Sequence, residues 1–200
     1  MNTSPTSTPP NTPAQVRPMT LDDVPAVAAC RVFGWRRAYA GIVPQSYLDR
    51  MDLAEEAELR RTHFTKAGPR TVNLVAERDG LVVAWACFGP YRETEGVPLY
   101  STPERPVAEL YTLYALPEHH STGAGRALMT ASLERAHAAG FAALSLWVLK
   151  ENAVARRFYE KAGCTWDGAE ESFEIGGATV DEVRYVSLLS AAAAAAPSRG

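Results

Sequence analysis

The segment from Pro117 to Arg126 has the residue types of an anion-binding loop. It joins an apolar run that predicts a buried strand to a run that predicts a helix, and it contains Gly123 and Gly125. Glycine lets the backbone approach a ligand closely, and the free N–H groups at a helix start bind phosphate oxygens. Many strand-to-helix turns use glycine for steric reasons alone, so the pattern by itself leaves both interpretations open.

Residue counting excludes two well-known nucleotide loops at this position. A dinucleotide fingerprint needs a third glycine or alanine three residues after Gly125, and Leu128 stands there. A P-loop needs Gly-Lys followed by Ser or Thr, whereas Gly125 is followed by Arg126. The loop therefore predicts an anion site of another kind.

A second set of candidate residues lies on a predicted helix downstream. Asn152 and Tyr159 are seven residues apart, which places them two turns apart on one helix face, where both can contact one ligand. Ala155, Phe158 and Ala162 form an apolar stripe beside that face. The alternative is that Tyr159 only extends this stripe into the core.

Apolar runs and turn residues predict a mixed α/β sheet to position these groups. The sheet is antiparallel at first and has a strand-helix crossover in the middle. Asp79-Gly80 and Gly176-Gly177 are hairpin signals. The predicted elements are strands at 72–77, 81–89, 107–116, 143–148 and 183–189, and helices at 125–139 and 152–161.

The N-terminal part predicts a short strand and two further helices. The strand starts at Val16, Thr20 is a candidate N-cap for the first helix, and Asp52 is one for the second. Trp35 and Tyr39 are aromatic residues at the end of the first helix. They are candidates for the wall of a substrate cleft, or else they close the core under a loop.

Composition places the chain among ordinary globular proteins. It has 200 residues, of which 46% are hydrophobic and 22% charged, and its formal net charge is −3. This charge gives no basic field for nucleic acid, and no apolar stretch approaches the roughly 20 residues that span a bilayer. We expect a cytoplasmic protein with one domain at 15–189, a disordered tail at 1–14 and an alanine-rich flexible tail at 190–200.

The three cysteines, Cys30, Cys87 and Cys164, are far apart and lie among apolar neighbours. They have no CxxC spacing and no nearby histidine cluster, so we expect buried reduced thiols and no metal site.

Two motifs together resemble the Gcn5-related N-acetyltransferases. The coenzyme loop of that family reads Arg or Gln, two residues, Gly, one residue, then Gly or Ala, and here the sequence is His120-x-x-Gly123-x-Gly125. The segment from Asn152 to Gly163, with Ala155 and Phe158-Tyr159 between, is similar to the second motif of the family. The resemblance covers 16–189 and implies about seven mostly antiparallel strands with about four flanking helices.

This resemblance implies binding of acetyl-coenzyme A as co-substrate and transfer of its acetyl group to a primary amine. The central strand would bind the pantetheine arm, the glycine loop would bind the pyrophosphate, and Asn152 would hydrogen-bond the arm. The residues assigned to the coenzyme are Leu113, Tyr114, Ala115, His120, Ser121, Thr122, Gly123, Ala124, Gly125, Arg126, Asn152, Ala155 and Phe158. His120 departs from the usual Arg or Gln, which makes a weaker or pH-dependent affinity for coenzyme an expectation.

The catalytic assignments also come from the resemblance. Tyr159 would protonate the leaving thiolate, and Glu109 on the central strand would be the base. The alternative for Glu109 is a surface residue at a strand entrance, and Glu118 and His119 are weaker candidates for the base.

The resemblance implies that the acceptor is a small molecule or a peptide, and that its pocket comes from 32–47 and 90–106. A non-catalytic acyl-coenzyme A binding or sensor module is the alternative function. A homodimer is a further expectation, because the C-terminal hairpin leaves a sheet edge.

Overall fold

The computed structural model describes residues 12–93 and 101–189. Seven strands and five α-helices make up the regular structure of these residues. The strands are β1 (Gln15–Pro18), β2 (Val72–Arg78), β3 (Leu81–Pro90), β4 (Val107–Ala115), β5 (Ala143–Leu149), β6 (Thr165–Ile175) and β7 (Ala178–Leu188). The helices are α1 (Val24–Ala38), α2 (Gln45–Arg50), α3 (Leu53–Thr65), α4 (Ala124–Ala138) and α5 (Ala153–Lys161).

The strands form one sheet in the order β1-β2-β3-β4-β5-β7-β6. Every neighbouring pair is antiparallel except β4 and β5, which α4 connects as a crossover. The predicted mixed, mostly antiparallel sheet of about seven strands is confirmed. Both predicted hairpins are present, and Asp79, Gly80, Gly176 and Gly177 have the positive φ that their turns require.

Alternate residues of the central strands bury side chains on opposite faces of the sheet. On β2, Leu74 and Ala76 belong to the main core under α4, whereas Val75 belongs to a second core under α1. On β3, Ala86 and Phe88 face the main core, and Trp85 faces the second. The helices thus cover two faces, with α1 on one and α4 on the other.

Side-chain hydrogen bonds fix where the N-terminal helices begin. The side chain of Asp52 accepts hydrogen bonds from the N–H groups of Ala54 and Glu55, at 2.8 and 3.0 Å, and starts α3 as predicted. The carboxylate of Asp23 accepts from the N–H of Thr20 at 2.7 Å and pairs with Arg17. The Arg17 hydrogen bond is the main cause that lowers the pKa of Asp23 to about 2.

One helix was not expected from the sequence. The short α2 follows Pro44, whose φ of −51° allows it to be the N-cap residue of this helix. The described residues therefore contain five α-helices instead of about four.

The predicted tails fall mostly outside the described residues, as do residues 94–100 of the predicted acceptor loop. The described sheet begins at Gln15 and ends at Leu188. No helix in 12–93 or 101–189 is long and apolar enough to cross a membrane.

Candidate active site

The central strands β4 and β5 separate part-way along their length. They pair as parallel strands only from Val107 and Ala143 to Glu109 and Ser145. A bulge on β4 immediately follows, because Leu110 and Thr112 oppose consecutive residues of β3 and Tyr111 has no partner. Beyond Glu109, β4 pairs only with β3, so one backbone edge of residues 110–115 faces the gap between the strands.

The glycine loop lies at the end of this gap and starts α4. Gly123 has a φ of +93° and is the N-cap of α4, and Ser121 also has a positive φ, of +60°. The side chain of Arg78 in β2 holds the loop by donating to the carbonyl of Thr122 at 2.7 Å. The Thr122 hydroxyl donates to the carbonyl of His119 at 2.6 Å. Ser121, Thr122 and Gly123 are exposed, so their backbone groups are accessible to a ligand.

Residues of β4, α4 and α5 that are assigned to coenzyme binding lie close together at Gly125. A Cβ placed on Gly125 would lie 3.6 Å from the Leu113 side chain and 3.8 Å from the Phe158 ring. Next to it, a Cβ on Gly123 would meet no atom within 4 Å. Open space beside the loop and the free N–H groups of a helix N-terminus suit a bound pyrophosphate. The residues present therefore fit the phosphate end of the coenzyme.

Two of the assigned residues are engaged within the protein. An imidazole nitrogen of the exposed His120 lies 3.3 Å from the carbonyl of Ala115, one of the backbone groups assigned to the pantetheine arm. The side-chain oxygen of Asn152 accepts from the N–H of Ala155 at 3.1 Å, so Asn152 is the N-cap of α5. Its amide NH₂ is left as the donor for a ligand. An Asn at a helix start is a capping signal that the sequence contained.

Tyr159 lies in the main core on the inner face of α5. Its ring packs edge-to-face against Phe158 at 5.2 Å, and the residue is 9% exposed. Burial raises the pKa of Tyr159 well above its usual value, and the neighbouring Tyr114 raises it further. Asn152 and Tyr159 are both 9% exposed, but Asn152 precedes α5 with a non-helical ψ of 69°, and their sharing of one helix face stays a prediction.

A cavity of about 440 Å³ opens on the α1 face, beside the separated part of β4. Trp35 and Tyr39 both line it, packed edge-to-face at 4.8 Å. The Tyr39 hydroxyl lies 3.2 Å from that of Tyr114, which also lines the cavity. Gly34 allows this arrangement, because a Cβ there would lie only 3.1 Å from Tyr114.

Glu109 lines the same cavity and is 2% exposed, so it is not a surface residue at a strand entrance. Its carboxylate is engaged by Arg92. The main-chain N–H of Arg92 donates to one oxygen at 2.9 Å, and its guanidinium binds the other, through Nε at 3.1 Å and through a terminal nitrogen. Glu118 and His119 form a short 3₁₀ turn before the loop and do not line the cavity.

Two other carboxylates line the cavity and were missed by sequence reasoning: Glu171 on β6 and Glu182 on β7. Burial is the main cause that raises the pKa of Glu182 to about 7, with further contributions from Glu171 and Glu109. Both glutamates lie in strands with many charged residues. Such a sequence is typical of a solvent-facing hairpin, so no local signal indicates a cavity.

The thiols play no visible part in this site. Cys30, Cys87 and Cys164 are free and buried, and burial raises the pKa of each to about 12. Among residues 12–93 and 101–189, no group of three or more His, Cys, Asp and Glu side chains could hold a metal ion.

Comparison with known proteins tests the resemblance. Residues 35–164 match the model of the acetyltransferase (GNAT) family. The chain is also 32% identical over 169 residues to the uncharacterized N-acetyltransferase YuaI of Bacillus subtilis, covering 84% of this chain and 89% of that protein. The chain belongs to the GNAT acetyltransferase family. It is thus an acetyltransferase, and the family that its two motifs resemble is confirmed.

Solved GNAT structures share the fold. The PaiA N-acetyltransferase of Thermoplasma acidophilum, in complex with coenzyme A, matches with a TM-score of 0.63 at 18% identity over 86% of this chain and 98% of that chain. The acetyltransferase yncA of Salmonella typhimurium, with acetyl-CoA, matches with a TM-score of 0.62 at 19% identity, over 94% of this chain and 100% of that one. At these identities the likeness concerns the fold.

Proposed function

We propose that this acetyltransferase binds acetyl-coenzyme A and transfers the acetyl group directly to a primary amine of a small molecule or peptide, in a ternary complex. The observation that carries the proposal is the gap between β4 and β5, with the glycine loop at one end and the cavity on the α1 face. A donor in the gap and an acceptor in the cavity approach each other across the exposed edge of β4.

The donor half of the site uses mainly backbone groups. The unpaired edge at Leu113, Tyr114 and Ala115 would bind the pantetheine arm as an added strand does, and one N–H there would polarise the thioester carbonyl. The loop at 120–126 would bind the pyrophosphate. The structural neighbours from Thermoplasma acidophilum and Salmonella typhimurium are complexes with coenzyme A and acetyl-CoA, which supports this donor.

Acyl transfer needs a neutral amine, a stabilised oxyanion and a proton for the leaving thiolate. Tyr159 is our candidate for the proton donor, as the motif implies. A carboxylate that lines the cavity is the candidate for the base, and Glu109 is the one that the resemblance assigns. Trp35 and Tyr39 would hold the body of the acceptor.

Binding of the donor is tested by thermal unfolding. A ligand that binds only the folded state stabilises it by about 2.7 kcal/mol at one hundred times its Kd. We expect acetyl-coenzyme A to raise Tm and NAD and ATP to raise it much less. An equal shift with all three ligands would contradict the proposal.

Catalysis is then separated from binding. The alternative, a binding or sensor module, predicts the same rise in Tm but no thiol release with any amine. We expect thiol release that depends on an added primary amine, and release at the same rate without acceptor would argue against transfer.

A further inference from the structure

Three carboxylates in different environments line the cavity, and they are therefore not equivalent as candidates for the base. Glu109, Glu171 and Glu182 come from β4, β6 and β7. The cavity also contains the guanidinium groups of Arg31 and Arg92. A base must have a lone pair available and a pKa near the working pH. The first requirement, an available lone pair, separates Glu109 from Glu182.

Glu109 is poorly suited to accept a proton. Both of its oxygens accept hydrogen bonds from Arg92, and one of these bonds comes from the main chain, which cannot swing away as a side chain can. Glu109 is better placed to hold Arg92 against the cavity wall.

Glu182 meets both requirements. It lies on β7 opposite Leu149 of β5 and Glu171 of β6, and its side chain lines the cavity. No hydrogen bond or ion pair to its carboxylate is made by any residue in 12–93 or 101–189. Burial, together with the like charges of Glu171 and Glu109, raises its pKa to about 7, although Arg92 opposes this. A carboxyl group with these properties is half ionised at neutral pH.

We infer that Glu182 is the group that takes the proton from the acceptor's ammonium, a step that rests on the proposed function. The ammonium enters the cavity and gives one proton to the Glu182 carboxylate, which later releases it to solvent. The neutral nitrogen attacks the thioester carbon, the C–N bond forms and the C–S bond then breaks. The nitrogen loses its second proton as the thiolate gains one, through Tyr159 in the proposed mechanism.

The cavity walls also indicate the class of acceptor. Six aromatic side chains line it: Trp35, Tyr39, Tyr111, Tyr114, Trp147 and Phe173. Its two arginines are already ion-paired, Arg31 with Glu56 at 3.0 Å and Arg92 with Glu109. Aromatic walls favour an apolar or aromatic body, and paired arginines give little attraction for an anionic group. The acceptor class is therefore a primary amine with an aromatic or apolar body and no carboxylate.

The charged and titratable groups around Glu182 come from every element packed against it. They are Glu171 on β6, Glu109, Tyr111 and Tyr114 on β4, Arg92 after β3, Arg31 on α1 and Tyr39 after α1. On its own strand, Arg184 is ion-paired with Asp167. Burial raises the pKa of Tyr39, and the charge of Glu182 raises it further, so Tyr39 stays protonated when Glu182 ionises.

The first experiment needs no acceptor. Carbon-13 NMR of protein labelled at the glutamate side-chain carboxyl carbons follows each carboxyl through a pH titration in wild type, Glu182→Gln and Glu109→Gln. We expect one carboxyl to titrate near pH 7 in wild type, to titrate at a lower pH in Glu109→Gln because a like charge is removed, and to be missing in Glu182→Gln. If every carboxyl titrates below about pH 5, Glu182 is an ordinary carboxylate and the inference is wrong.

The second experiment measures kcat/KM against pH with phenethylamine as acceptor and phenylalanine as its carboxylate-bearing counterpart. We expect phenethylamine to be the better acceptor. Its kcat/KM should decrease as the pH falls below an apparent pKa near 7. Glu182→Gln should lower kcat/KM about 10²-fold at neutral pH and remove that limb. The matched control is Glu134→Gln, on the exposed side of α4. It should change neither kcat/KM at neutral pH nor its pH dependence.

The outcomes separate the two proposals. If Glu182→Gln keeps the limb and a rate within a few-fold of wild type, Glu182 is not the base; if Glu109→Gln alone loses the limb, the base is Glu109. Preference for phenylalanine over phenethylamine overturns the acceptor class. Failure of acetyl-coenzyme A to bind the wild type overturns the proposed function, and the inference with it.

Discussion

The side chain of Tyr159 has an observed packing role and a proposed chemical role. Its ring belongs to the main core, whereas its pKa responds to Tyr114 on the cavity wall. A phenol with a raised pKa stays protonated at neutral pH, which is the state that a proton donor needs. Packing alone would be satisfied by phenylalanine, so the hydroxyl group is the part to test.

Tyr159→Phe should separate packing from chemistry. The ring is kept, so we expect coenzyme affinity and Tm to change little, while turnover falls about 10²-fold because the thiolate loses its proton donor. Thiol release at saturating acceptor, measured beside a coenzyme titration, checks this. A rate within a few-fold of wild type would mean that Tyr159 is only a core residue.

Glu182 should reduce stability at higher pH. Its folded pKa is raised to about 7 from the usual 4.5, so between these values the unfolded chain loses the proton first and the free energy of unfolding falls as pH rises. We expect Glu182→Gln to be more stable than wild type at about pH 8, with a smaller difference at about pH 5. Urea unfolding at both pH values measures this, and a difference that does not change with pH would contradict it.

At the scale of elements, the glycine loop shows how a turn shapes the proposed phosphate site. The positive φ of Gly123 reverses the chain between the 3₁₀ turn and α4 without a Cβ penalty. Gly125 has no such φ, and a Cβ there makes ordinary contacts with Leu113 and Phe158. Gly125 is therefore not needed for the fold of the loop, and its small size matters for approach of a ligand.

Gly125→Val should distinguish binding from folding. The larger side chain extends toward the proposed coenzyme site, so we expect the rise in Tm with acetyl-coenzyme A to be lost while the unliganded Tm changes by a few degrees. Gly123→Ala is the companion variant, in which the positive φ costs about 1 to 2 kcal/mol of stability but no new atom meets a neighbour. An unchanged rise in Tm for Gly125→Val would contradict the loop assignment.

Most of the elements could be predicted because their signals are local. Asp52 caps α3, and Asp79-Gly80 turns the first hairpin. Trp35 and Tyr39 were candidates for the wall of a cleft, but the glutamates of β6 and β7 in the cavity could not be predicted, because β4, β6 and β7 meet there only through the sheet order. The pairing of Glu109 with Arg92 likewise depends on the register of β3 and β4.

At the scale of the molecule, one sheet separates two compartments. The main core under α4 and α5 lies on one face, and α1 with the cavity lies on the other. The gap between β4 and β5 connects them, because the strands stop pairing after Glu109. In the proposed function, a donor at the glycine loop and an acceptor among the aromatic residues of the cavity meet at this gap.

The homodimer stays a prediction. β6 is an edge strand of the sheet, and Trp166 and Phe173 on it are 50% and 38% exposed. Such an edge is open to a second copy. We expect light scattering at micromolar concentration to give a dimer mass, and Trp166→Glu to shift it toward monomer. A monomer mass for the wild type would remove the prediction.

The most direct test of the central claim is to incubate the purified protein with acetyl-coenzyme A and phenethylamine, and to quantify free thiol and acetylated amine by mass spectrometry. The account predicts equal amounts of both, formed only when protein, donor and amine are all present. Thiol without acetylated amine, or no reaction with any primary amine although acetyl-coenzyme A binds, would contradict it.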